Sequence, residues 1–288
     1  MRLCLRLCVL ASGIISLGLW TWMLNVLSSP YTEHNETPKN PFISHDKFLH
    51  VQQLRKKKLR NFCLQNAELS SLQARRNAEQ LLSKLEVNHN LQTVYCKAGG
   101  TDVGIWEQLL KVINRSEITV EAPIVNPSPV SPSNQLSNYN VFTLETILRS
   151  YTKILFVREP LERLVSAYIQ SFAGNIPFSQ FIDDFLSLKP ENTDDFHKTV
   201  VDVCHPCFIR YDYIVMYGFL RAEIQHLIKR MSLPETVLVQ EFTDTQTKQA
   251  HKWLMKNLLK ELNVQQLKQL VKAYSWDYGA FTFYRSLL

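Results

Sequence analysis

The sequence predicts an α/β fold, a small parallel sheet flanked by helices, following an N-terminal transmembrane helix. Three observations carry that expectation. An uncharged apolar run, Leu7 to Leu27, opens the chain. Two short strand-like runs, Leu91–Cys96 and Ile154–Val157, each pass through a turn into a helical pattern. The remaining apolar residues recur mainly at helical spacing.

The apolar run is 21 residues long, and a membrane-spanning helix needs about 20. Arg2 and Arg6 precede it, and no Lys or Arg follows until Lys39. The positive-inside rule makes residues 1–6 a cytosolic tail, residues 7–27 a signal-anchor, and everything beyond luminal. Trp20 and Trp22 lie near the far end, where an aromatic belt is expected. The rival reading is a cleaved signal peptide. The run exceeds the usual ~7–15 residues of a signal core, and no A-x-A site follows it.

Residues 28–45 are polar, contain proline, lack a period and read as a luminal stalk. Two sequons suit a luminal body, at Asn35 and Asn114. Four cysteines lie beyond the anchor: Cys63, Cys96, Cys204 and Cys207. In an oxidising compartment an even number allows two disulfides, with three pairings open.

Residues 46–88 read as a helical stem, with Leu49, Leu54, Leu59, Leu81, Leu82 and Leu85 spaced among charges. Its basic run, Arg55 to Lys58, suits anionic headgroups or glycan, or is a solvated helix face. The 288 residues are enough for one large core besides an anchor and stalk. Hydrophobic residues at 45% and charged residues at 20% exclude a disordered or collagen-like chain. The net charge of +6 favours anionic partners without choosing among nucleotides, glycans, nucleic acid and membrane.

The first strand ends in Tyr95-Cys96 and enters Lys97-Ala98-Gly99-Gly100-Thr101-Asp102. A helix follows with Trp106, Leu109, Leu110 and Ile113 on one face. Three of the eight glycines fall between positions 99 and 104, which suits close approach of backbone to a ligand. Residues 122–139 hold four prolines and read as a crossover. The second strand runs into Arg158-Glu159-Pro160, with Pro160 suited to a first helical turn. In open α/β sheets ligands sit beyond the carboxyl ends of the strands, and both turns have that placement. Arg158 can clamp a phosphate with its planar fork, and Ser166 can add a hydroxyl donor. Equally, Arg158 can pair with Glu162 and Ser166 can be a packing residue. A Walker A loop is absent, which argues against an ATPase or kinase.

The segment Phe156-Val157-Arg158-Glu159-Pro160-Leu161-Glu162-Arg163-Leu164-Val165-Ser166 strongly resembles the 3′-phosphate motif of the Golgi carbohydrate sulfotransferases. The branch concerned holds the chondroitin and dermatan 4-sulfotransferases and the HNK-1 sulfotransferase. Three further segments look like that family's: Cys204-His205-Pro206-Cys207 with Tyr211-Asp212, Asp277-Tyr278 through Tyr284, and Arg60-Asn61-Phe62-Cys63. The resemblance runs from about Arg60 to the end and implies a sulfotransferase domain over residues 89–288. It implies a single-pass type II Golgi membrane protein with a luminal catalytic domain. The donor substrate would be PAPS (3′-phosphoadenylyl sulfate). The acceptor would be a glycan of glycosaminoglycan type, such as chondroitin or dermatan. No nucleic acid and no metal are expected, since Cys204-x-x-Cys207 is half a zinc site and its family counterpart suggests disulfides.

By this resemblance Arg158 and Ser166 bind the donor's 3′-phosphate. The family carries P-K-x-x-x-T-x-W at the first turn, its lysine serving the 5′-phosphosulfate. Ungapped from Tyr95-Cys96 to Trp106, that lysine position falls on Gly100. With a three-residue shift it falls on Lys97, giving a K-x-G-x-T pattern. The expected site is then Lys97, Gly99, Gly100 and Thr101 at the 5′ end, with Lys97 also catalytic. A general base must take the acceptor's proton. His197 is the candidate, one position from where the family often has histidine. The longer basic insertion of many relatives is missing before Phe178. The alternative is a sulfotransferase-like luminal binding protein that has lost catalysis.

Overall fold

The computed structural model describes residues 45–71, 75–101, 104–115, 135–187, 197–217, 220–231 and 245–283. The expected tail, anchor and stalk, with Asn35, lie outside them. Among the described residues no helix is long and apolar enough to cross a membrane.

The first half runs α1 (His45–Gln65), a 3₁₀ turn (Ala67–Ser70), α2 (Arg75–Lys84), β1 (Leu85–Asn88), β2 (Thr93–Cys96) and α3 (Gly104–Arg115). A second 3₁₀ turn (Leu136–Asn138), α4 (Val141–Ser150), β3 (Thr152–Val157), α5 (Pro160–Ser171) and α6 (Phe178–Ser187) follow. The chain continues through α7 (Val200–Cys204), β4 (Tyr213–Met216), α8 (Leu220–Arg230), α9 (Thr245–Lys260), α10 (Val264–Ala273) and α11 (Ser275–Ala280).

The sheet has four strands in the order β1-β2-β3-β4. Strands β2, β3 and β4 are parallel, as expected of strands joined by helical crossovers. The edge strand β1 is antiparallel to β2, so the sheet is mixed, not purely parallel. The cause is local. β1 continues from α2 without a break and turns back within four residues, Gln92 adopting a φ of 48° and Asn88 Oδ1 accepting from Leu91 N–H at 2.9 Å. Residues 46–88 are therefore helical only to Lys84, and their last four form the sheet edge.

Both faces of the sheet are buried, which is why the run Ile154–Val157 of β3 is continuously apolar. Val94, Cys96, Leu155, Val157, Ile214 and Met216 face one core with Leu59, Phe62 and Leu81 of α1 and α2. Tyr95, Ile154, Phe156 and Val215 face the other, with Trp106 and Leu109 of α3 and Leu227 of α8. A third core forms among α5, α6, α9 and α10 around Leu164, Phe181, Met255 and Leu270.

Helix α1 caps the β4 edge. The Gln52 amide donates to Ile214 O at 3.1 Å and accepts from Ile214 N–H at 2.9 Å, standing in for a fifth strand. Arg55 pairs both oxygens of Glu223 at 2.7 and 2.8 Å, and Glu223 accepts from Met216 N–H. Lys58 donates to Phe281 O and Tyr278 O. The run Arg55 to Lys58 is thus divided: its two ends hold the fold, and Lys56 and Lys57 remain for solvent or a partner.

The four cysteines pair as Cys63–Cys207 and Cys96–Cys204. The first ties the end of α1 to the segment after α7. The second ties the last residue of β2 to the end of α7, directly before the glycine-rich turn. Tyr211 donates to Cys204 O at 2.9 Å, and Asp212 accepts from Lys153 N–H at 2.8 Å, joining the C-x-P-C segment to the start of β3.

Candidate functional site

Beyond the carboxyl ends of β2 and β3 lies a cleft of about 480 Å³. Lys97, Gly99, Gly100, Arg158 and Ser166 all line it, so the structure brings together five of the expected site residues. Ser83, Lys84, Glu86, Gly104, Glu107, Gln135 and Gln170 complete its lining with Ala98.

The first turn is closed from within. Thr101 sends both its amide and its hydroxyl to Ala98 O, at 3.4 and 2.7 Å, and is buried. Thr101 therefore shapes the turn and does not line the cleft, unlike the two glycines. Gly100 has a φ of 73°, a conformation natural to glycine. A Cβ at Gly100 would lie 2.4 Å from Arg163 Cγ and 3.3 Å from Arg163 O. A lysine at this position would have to displace Arg163, and the lysine of this turn that lines the cleft is Lys97.

The second turn rests on α5. Glu159 caps this helix, accepting from Glu162 N–H at 2.8 Å, and Pro160 occupies its first turn. Arg158 comes off the end of β3 with its side chain buried. Its guanidinium donates to Gly100 O at 3.3 Å, lies 4.0 Å over the Tyr217 ring, and has Glu162 at 4.0 Å. The expected pairing with Glu162 is thus present but long, and Arg158 also bridges the two turns. Ser166 and Gln170 stand one turn apart on α5 and face the same cleft.

Beneath the two turns lies a buried ionic strut that sequence reading missed. Arg163 is fully buried, donates to Lys198 O, lies 3.7 Å from Asp277 and stacks toward Tyr274 at 5.4 Å. Asp277 accepts from Val200 and Val201 N–H at 3.0 and 3.1 Å, holding the start of α7. Burial pushes its carboxyl up to about 6, against the opposing pull of Arg163 and the two amides. Tyr278 donates to Glu159, and burial likewise pushes the Glu159 carboxyl upward. Arg163 of α5 and the C-terminal D-Y segment are therefore one structure. Both lie in segments that resemble the family's motifs, which was the available signal.

His197 is placed elsewhere. Its ring stacks on Phe185, 4.6 Å between centroids and 10° from parallel, and it does not line the cleft. The acid–base groups that do line it are Lys84, Glu86, Lys97 and Glu107. Lys97 pairs with Glu107 at 2.9 Å and with Glu86 at 3.8 Å. Its hydrogen bond to Glu107 raises its pKa above the ordinary lysine value, outweighing desolvation, so it is an ammonium.

Asn114 falls in the last turn of α3, with its side chain and Ser116 outside the described residues. Among the described residues no group of three His, Cys, Asp or Glu side chains is arranged to hold a metal ion.

A family model described as the sulfotransferase family matches residues 87–284. The chain is 26% identical over 270 residues to carbohydrate sulfotransferase 14 of Danio rerio, covering 81% of this chain and 71% of that protein. It is 23% identical to carbohydrate sulfotransferase 9 of Homo sapiens, covering 81% of this chain and 60% of that one. It is also 23% identical to carbohydrate sulfotransferase 11 of Rattus norvegicus, covering 81% and 76%. No solved structure matches the chain significantly.

Proposed function

The chain belongs to the sulfotransferase family, and on that premise we propose that it moves a sulfuryl group from PAPS onto a carbohydrate hydroxyl. The observation that carries this reading is the single cleft joining Lys97 and the glycine turn to Arg158 and Ser166. A nucleotide bearing phosphates at both ends needs cationic and amide donors at two separated points. The residues present suit that need. Arg158 and Ser166 hold the 3′-phosphate, and Lys97 with the amides of Gly99 and Gly100 takes the 5′ end. Sulfuryl transfer requires the acceptor oxygen, sulfur and leaving oxygen in line, with positive charge where negative charge develops. Arg158, by donating to Gly100 O, ties together the two turns that would hold the donor's two ends.

The names of the similar proteins supply the carbohydrate acceptor; a glycosaminoglycan-like chain is our choice within that class. The two disulfides favour an oxidising compartment, consistent with a Golgi lumen and a type II anchor at residues 7–27. The alternative, a luminal binding protein without transfer, draws on one observation: Lys97 is engaged by Glu107 and Glu86. Thermal stabilisation by PAP (3′-phosphoadenosine 5′-phosphate) tests the donor site. A ligand at about 100 times its Kd adds about 2.7 kcal/mol. Absence of any shift would remove the donor site, and binding with no transfer would favour the alternative.

A further inference from the structure

Resting on the sulfotransferase reading, we propose that Glu107 is the base that takes the acceptor's proton, held by Lys97 until the donor arrives. A base must sit where the acceptor hydroxyl meets the sulfur, and His197 does not line the cleft. The cleft's carboxylates are Glu86 and Glu107. Glu86 belongs to the sheet-edge strand β1, and its backbone bridges to Gln135. Glu107 stands on the first turn of α3, directly after the glycine turn that would receive the 5′ end. It is also the more accessible of the two, with 26% of its side chain exposed against 18% for Glu86.

The contact between Glu107 and Lys97 gives the pair a second state. Lys97, which pairs with both Glu107 and Glu86, must share its three N–H donors anew when the donor's 5′ oxygens arrive. A 5′-phosphosulfate carries more negative charge than one carboxylate and draws the ammonium toward itself. Lys97 is half exposed on a flexible stem, so the exchange needs only rotamer changes. Glu107 is then left as an anionic carboxylate beside the reacting centre. In the step that follows, the acceptor oxygen bonds to sulfur and the bond from sulfur to the 5′-phosphate oxygen breaks. The acceptor's proton passes to Glu107, and the new charge on the leaving phosphate is met by Lys97. The donor therefore binds before the acceptor is activated.

Two readouts on the full-length chain in detergent test this, comparing wild type with Glu107→Gln. PAP affinity by calorimetry should tighten about two- to five-fold, the worth of an exposed ion pair that no longer competes. Transfer of labelled sulfate from PAPS should fall about 100-fold or more. A variant that transfers within about three-fold of wild type overturns the base. PAP affinity that is unchanged or weaker overturns the exchange. Tightened affinity also certifies a folded site, so lost transfer cannot then be misfolding. If wild type itself binds PAP and transfers to no acceptor, the sulfotransferase reading fails, and the base with it.

Discussion

Arg163 fills the space beside Gly100: a Cβ there would meet its Cγ at 2.4 Å, on backbone with a φ of 73°. The glycine turn and the buried Arg163–Asp277 strut are thus one packed unit. Gly100→Ala should destabilise the fold by about 1–3 kcal/mol, the cost of a non-glycine residue at such a φ plus displacement of Arg163. Gly100→Lys should cost at least as much and fail to raise transfer. Chemical denaturation checks the stabilities and transfer of labelled sulfate checks the lysine variant, and a Gly100→Ala variant as stable as wild type would refute the contact.

Arg158 bonds Gly100 O and lies over Tyr217, so its fork serves positioning as well as charge. Arg158→Ala should weaken PAP binding by about 10- to 100-fold, the range of a charged hydrogen bond. Arg158→Lys should recover little, because an ammonium lacks the planar fork that can bond Gly100 O and a phosphate together. Full recovery by lysine in calorimetry would reduce Arg158 to a simple charge.

The Cys96–Cys204 disulfide anchors the residue before Lys97, whereas Cys63–Cys207 ties α1 to the segment after α7. Replacing both cysteines of either pair with serine should lower stability by about 2–5 kcal/mol. Only Cys96→Ser with Cys204→Ser should also weaken PAP binding strongly. Equal affinities in the two double variants would contradict a positioning role for the first disulfide.

Asp277 carries a pH signature. Its folded pKa is raised from 3.8 to about 6 by burial. Its contribution to stability is therefore full below about pH 4 and is lost as pH rises through about 6. The stability gap between wild type and Asp277→Asn should shrink by about 1–3 kcal/mol between pH 4 and pH 7.5. Denaturation curves at the two pH values measure it, and a gap that widens with pH would reverse the assignment.

Much of this arrangement was legible in the sequence. The strand ending at Val157 is apolar on both faces, and Pro160 marks the helix start, so Arg158 and Ser166 could be placed at a strand–helix turn. β1 and β4 were not legible. Each is four residues long, and β1 carries Glu86 and Asn88, so neither segment is long enough to separate strand from helix by period. Thr101 read as a ligand residue because the K-x-G-x-T pattern does not show that its hydroxyl turns inward to Ala98. Glu107 was invisible for a tertiary reason. Its meaning comes from Lys97, across a turn whose geometry depends on Arg163 from another helix. The pairing of the four cysteines likewise required the fold that brings α7 beside β2.

The most direct test of the account is transfer of labelled sulfate from PAPS by the full-length chain across a panel of desulfated glycans, wild type beside Lys97→Ala. Wild type should transfer sulfate, and the variant should lose about 100-fold or more. A folded wild type that binds PAP yet transfers to none of them, or a Lys97→Ala variant as active as wild type, would contradict it.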